Sequence, residues 1–191
     1  MIGNSLAGIY GTGAPPIPPS SFESIATATG TGSSGVITFS SIPSTYKSLQ
    51  IRYMSKDTNA SDGILNPKIQ FNSDTGNNYA YHELRGNGTV TDANAGDSYS
   101  GVLIMGSSLR ESSASSIMGV ALVDILDYAS TTKNKTVRYI SGTDTNGGAV
   151  GQRISLGSGL WINTDAVTLI SINADVSNFT TTSTFALYGV N

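Results

Sequence analysis

The chain has no cysteine in its 191 residues. That excludes disulfides, thiolate nucleophiles and cysteine-ligated zinc. Charge is scarce as well: 12% of residues are Asp, Glu, Lys or Arg, about half the roughly 25% of an average soluble protein. The ten basic residues are scattered and the net charge is −3. A nucleic-acid binder gains affinity by neutralising phosphates with clustered Lys and Arg, so no nucleic-acid partner is expected. No stretch approaches the roughly 18 apolar residues of a membrane-spanning helix, and no membrane partner is expected. No basic residue precedes Lys47 and no early apolar run has signal-peptide length, so the expectation is synthesis in a cytosol without conventional export.

What fills the chain instead is Ser, Thr, Asn and Gly. Thr suits a pleated strand, and Gly, Asn and Ser suit turns. Short apolar runs predict strands near 24–28, 36–39, 48–54, 67–72, 79–84, 99–105, 116–127, 135–141, 153–156, 159–163, 166–174 and 183–190. Turn clusters separate them, among them "GTGSSG", "NSDTGNN", "GNGTVTDANAGD" and "TDTNGG". "SSLRESSASS" is the one stretch that reads as a short helix or, equally, a Ser-rich loop. Many short strands between Gly- and Asn-rich turns indicate a sandwich or a barrel.

Candidate chemistry is thin. A Ser–His–Asp triad would need His82 as its base, but no G-x-S-x-G nucleophile elbow is present. "HELRG" begins like a zinc motif, yet Gly86 stands where the second histidine would be needed. His82 therefore reads as one polar residue of a strand. Asp124 and Asp127 are three apart, so one strand points them to opposite faces, and Asp127 reads as the start of a turn. Asn72, Asp74 and Asn78 surround Gly76 in an arrangement open to calcium or to an Asx-rich turn, with no closing glutamate. Trp161 reads as a core residue rather than a sugar-stacking one. The expectation is a protein that is not an enzyme, with no catalytic residue, cofactor or metal site.

Two features point to surfaces instead. Residues 1–21 carry Pro15, Pro16, Pro18 and Pro19, which fix an extended polyproline conformation. Ile2, Leu6, Ile9 and Tyr10 precede them. Ten such extended residues reach about 30 Å, so the segment reads either as a tail or as an arm whose apolar beads dock on a partner. Second, the strands predicted at 116–126 and 166–174 are apolar on both faces, whereas a half-exposed strand alternates. Met118, Val120 and Leu122, together with Ile170 and Ile172, then need cover. A loop of the same chain supplies it in one reading and a neighbouring subunit in the other.

The segments "FESIATATGTGSSGVITFSSIPSTYKSLQIR", "IQFNSDTGNNYAYHELRGNG", "VDILDYASTTKNKTVR", "SGLWINTDAVTLISI" and "FALYGV" occur here in one order. Over residues 22–191 they resemble a family of tailed-bacteriophage virion domains found in phages of aquatic bacteria. The resemblance implies an all-β, jelly-roll-like antiparallel β-sandwich, forming homotrimers and appended to phage structural proteins. It implies no catalytic residue. A virion protein released by lysis also fits a hydroxyl-rich chain without an export signal. The arm lies outside the resemblance, and about twenty residues suit a clamp better than a fibre shaft. The expectation is thus a capsid decoration, or cement, protein on the capsid surface. Its partners would be the major capsid protein and copies of itself, and the arm would stabilise the head. The alternative is a receptor- or carbohydrate-binding module on a head or tail fibre.

Overall fold

Runs in which Val, Ile, Leu and Tyr alternate with small or polar residues form strands throughout. The structure, a computed structural model, describes residues 21–110, 116–146, 152–174 and 176–191. Fourteen strands follow in chain order: β1 (Phe22–Thr29), β2 (Val36–Phe39), β3 (Ser48–Asp57), β4 (Ile64–Leu65), β5 (Lys68–Phe71), β6 (Tyr79–Gly86), β7 (Thr91–Tyr99), β8 (Val102–Leu103), β9 (Ser108–Arg110), β10 (Gly119–Leu126), β11 (Lys135–Thr143), β12 (Arg153–Trp161), β13 (Ile170–Asn173) and β14 (Thr184–Val190). The described residues contain no helix.

The strands build two sheets. The larger has ten strands, with the path β1-β14-β3-β10-β11-β12-β6-β7 and with β4 and β9 attached beside β3. The smaller runs β2-β13-β5-β8. The described ladders are antiparallel apart from the short β3–β9 pairing. Set aside the inserted pairs β6–β7 and β11–β12, and β1-β14-β3-β10 faces β2-β13-β5-β8. The chain crosses between the layers in the wrapping of a jelly roll. The all-β, jelly-roll-like antiparallel sandwich expected from the sequence is the fold observed. The arm residues Ile2, Leu6, Ile9, Tyr10, Pro15, Pro16, Pro18 and Pro19 lie outside the described residues.

The core sits between the two layers. Leu49, Ile51, Val123, Ile125, Val137 and Leu187 of the large sheet meet Phe39, Ile69, Phe71, Ile170 and Ile172 of the small one. Each such side chain contributes on the order of 1.5–3 kcal/mol when fully buried. Here the expectation for Ile170 and Ile172 is corrected. Both are 0% exposed within a single chain, so they cannot meet a neighbouring subunit. The strand begins only at Ile170, and its sequence Ile-Ser-Ile-Asn alternates buried with half-buried. Val167 and Leu169 precede it in a loop, where Val167 N donates to Tyr128 O at 2.8 Å. The second apolar face of that segment is thus not a strand face.

Other segments differ too. Residues 153–163 hold one strand, β12, rather than two. "SSLRESSASS" contributes β9 from its first residues. The stretch around "TDANAGD", read as loop, is the edge strand β7, exposed along nearly its whole length.

Buried polar side chains tie the loops to the sheets. Tyr128 is fully buried. Its hydroxyl donates to Pro43 O at 2.6 Å and accepts from Tyr46 N at 3.1 Å. Lys135, also fully buried, donates from Nζ to the carbonyls of Ser130, Lys133 and Thr164 at 2.8, 2.6 and 3.0 Å. An ammonium has three donors, and all three are used, which offsets the cost of burying the charge. Burial still pulls its pKa below the ordinary lysine value.

Gly157 is required by a neighbouring ring. Tyr139, its partner in register across β11–β12, lays its ring over the backbone there, where any β-carbon would collide with it. Gly157→Ala is therefore expected to fold but to lose ~1–3 kcal/mol through overpacking. Urea unfolding at neutral pH checks this, and an unchanged midpoint would show that the ring has free room to move.

Candidate interaction surface

A pleated strand sends successive side chains to opposite faces. In β10, Ala121, Val123 and Ile125 therefore point into the core, and Val120, Leu122, Asp124 and Leu126 point outward. Cross-strand register extends the outward set over the large sheet. One row joins Met54, Val120, Gly142 and Ile154. The next joins Arg52, Leu122, Ile140, Leu156 and Leu84. A third is polar: Gln50, Asp124, Arg138, Ser158 and His82. Met54, Val120, Ile140, Ile154, Leu156 and Leu84 all count among the exposed large hydrophobic side chains, Ile154 and Leu156 at 61%. Met54, Val120, Ile140 and Ile154, together with Ile117, Met118 and Leu122, line a shallow groove of about 1060 Å³, and Leu84 and Leu156 line a recess beside it.

The burial pattern is reversed across part of this sheet. In β12 the apolar Ile154 and Leu156 face out, while Ser155 faces in and is fully buried. In β6 Leu84 faces out, and Glu83 faces in with its side chain 0% exposed. Arg85 Nη1 donates to Glu83 Oε1 at 3.1 Å, and Arg85 also makes a paired contact with Asp92 at 2.5 and 2.8 Å. Arg153 is held there by a weak bond to Asn66 Oδ1 at 3.4 Å, and burial pulls its pKa below the ordinary arginine value. At this corner, charge is inside and hydrocarbon is outside.

Of the interface residues expected from the sequence, Val120 and Leu122 lie on the outer face and Met118 leads into it from the residue before β10. Ile170 and Ile172 do not join them. Sequence reasoning missed Met54, Leu84, Ile140, Ile154 and Leu156. The available signal was β12 itself: Gly157 and Gly159 leave room for Tyr139 and Val102, which fixes the glycines inward and hence Ile154 and Leu156 outward.

The residues weighed for chemistry are not brought together. His82 is exposed on the outer face, opposite Ser158 and Ala95. Asp124 accepts from Gln50 Nε2 at 2.8 Å, and Asp127 sits in a turn at positive φ, paired with Lys133 at 3.0 Å. Asp127 opens the turn, its carbonyl accepting from Ser130 N at 2.9 Å, and Ser130 Oγ accepts in turn from Thr132 N and Lys133 N. Among the described residues no cluster of three His, Cys, Asp or Glu side chains is placed to hold a metal.

Asp74 instead accepts three N–H bonds, all at 2.8 Å: Gly76 N on Oδ1, and Asn78 Nδ2 and Trp161 Nε1 on Oδ2. Trp161 is 1% exposed and stacks on Tyr79, so it is a core residue, as its size suggested.

No protein-family model matches the chain, and no curated protein is significantly similar to it.

The donors around Asp74, the Asn78 amide foremost, hold its pKa below the usual carboxylate range. A depressed carboxylate stabilises the fold above its unfolded-state pKa, and that contribution is lost as pH falls through the folded-state value. Asp74→Ala is therefore expected to lower the melting temperature at neutral pH. The gap to the native chain should narrow once pH drops below about 4, the ordinary carboxylate value. Thermal melts across that range check both, and a gap independent of pH would contradict the account.

Proposed function

We propose that this chain is a non-enzymatic virion structural protein, a capsid decoration protein that coats the head of a tailed phage and stabilises it. The observation that carries the reading is the outer face of the large sheet, where a charge-poor sandwich displays hydrocarbon in ordered rows. A surface of that kind suits binding rather than catalysis. The sequence resemblance over residues 22–191 supplies the phage setting and assembly as a homotrimer, and the shortness of the arm supplies the place on the capsid surface. The Pro-rich segment 1–21 would bind the major capsid protein through Ile2, Leu6, Ile9 and Tyr10, whose burial a partner would complete.

A second reading, a receptor- or carbohydrate-binding module, is favoured by a recess of about 750 Å³ beside the groove. There His82, Asn94, Arg138 and Ser158 set hydrogen-bonding groups next to Leu84 and Leu156.

Ile9→Ser with Tyr10→Ser in the full chain separates the two. Under the decoration reading, co-sedimentation with particles lacking the protein falls at least tenfold, while the melting temperature stays unchanged. Normal decoration by this variant would remove the arm from the account. Binding to host polysaccharide that Arg138→Ala abolishes would favour the second reading.

A further inference from the structure

We propose that the apolar outer face of the large sheet is covered by a second copy of this chain. The inference deepens the decoration reading and rests on its assembly from several subunits.

Extent is the first consideration. With strands about 4.8 Å apart and outward side chains about 6.8 Å apart along each strand, the eight-strand path measures about 34 by 20 Å, or roughly 700 Å². A specific, stable interface takes roughly 800 Å² from each partner. The whole outer face is therefore of the right size, whereas the apolar rows alone are too small. Its layout also fits. Val120, Leu122, Ile140, Ile154 and Leu156 lie at the centre, and the row holding Gln50, Asp124, Arg138 and His82 borders them, as an apolar interface core is bordered by a polar rim.

The face also carries its own complement. Closed assemblies are built by rotation about an axis. An axis running along the strands keeps every residue at its own height in the sheet. If β10 of one copy then meets β11 of the next, the cross-strand register dictates the contacts. Val120 meets the notch at Gly142, where a β-carbon would touch nothing but a backbone oxygen. Leu122 meets Ile140. Asp124 meets Arg138. Three unlike pairs match at once: bulge with notch, hydrocarbon with hydrocarbon, carboxylate with guanidinium. A polyanion or an anionic membrane surface would call for cationic excess. Here Arg52 is already stacked over Phe22 and Tyr188 at 4.9 Å from each ring, which leaves Arg138 opposed by Asp124.

The test uses the full chain and multi-angle light scattering at micromolar concentration. The native protein is expected to run as more than one subunit, and Ile140→Lys with Leu156→Lys as one. Both side chains are exposed, so the variant should melt like the native protein. Val36→Lys, at an exposed apolar position on the small sheet, should leave the mass unchanged. Asp124→Arg should weaken assembly at least tenfold, and adding Arg138→Asp to the same chain should restore it. A monomeric native chain, or a folded Ile140→Lys/Leu156→Lys variant that still assembles, would overturn the inference. A monomer that still decorates capsids overturns this inference and the homotrimer with it, and leaves the decoration role standing. An assembly that dissociates as described yet never binds capsids overturns only the decoration reading.

Discussion

The pleat of β10 is the constraint from which the rest of the molecule follows. A slip of one residue would exchange its two faces, and because both faces are apolar, hydrophobicity alone does not choose between the registers. Two other features do. Gly119 lies so close to the Ser107 carbonyl, 2.6 Å from where a β-carbon would stand, that only glycine fits. A slip would put Met118 or Val120 in that place. Five residues on, Asp124 needs the Gln50 amide and a half-open position, and a slip would drive its carboxylate into the core. Contact and charge thus fix a strand that its oily residues leave undetermined. Once β10 is fixed, its ladders with β3 and β11 carry the same choice across the sheet.

Polar groups in the interior act as fasteners in the same sense. Tyr128 joins the 43–46 loop to the turn after β10, Lys135 gathers three carbonyls, and Asp74 ties the loop before β6 to Trp161 at the end of β12. Each spans more of the chain than a turn can reach. These residues belong to the segments "IPSTYK", "DILDYA", "KNKT", "NSDTGNNY" and "GLWIN", which carry the resemblance seen in the sequence. Their place in the structure explains why a likeness there speaks to the fold. They close loops and set registers, and none of them lies on the outer face where a partner would be chosen.

The sequence disclosed those parts whose physical signature is local. The strand set around the core was visible because β-branched and aromatic residues cluster between turn residues, and Trp161 was placed in the core by its apolar area. The edge strand β7 was not visible. Thr91–Tyr99 is mostly small or polar and has no apolar face; it is a strand because β6 offers it unpaired backbone groups and Arg85 grips Asp92. Ile170 and Ile172 were recognised as needing cover, but the cover comes from Phe39 and Phe71 beside Ile170, from Ile37 and Ile69 beside Ile172, and from the facing sheet, long-range contacts that no local pattern records. The outer face was half legible. Val120 and Leu122 stood out in a two-faced strand, whereas the short run holding Ile154 and Leu156 gave no sign of which way they face until Gly157 fixed the opposite side inward.

The reversal at β6 and β12 carries a cost that bears on what the protein is for. Glu83 and its cations would be better solvated outside, and Ile154, Leu156 and Leu84 better packed inside; an isolated sandwich gains nothing from the exchange. Burying an ion pair is at best neutral against a hydrocarbon replacement, and each exposed aliphatic side chain forgoes its transfer free energy. The arrangement becomes favourable when the outer face is itself buried, because the hydrocarbon then enters a second core. One edge of the sheet points the same way. There β7 carries Asp92 and Asp97, charges that discourage strand addition. With that edge blunted by charge, association through the broad face costs this sheet less than growth by a further strand beside β7.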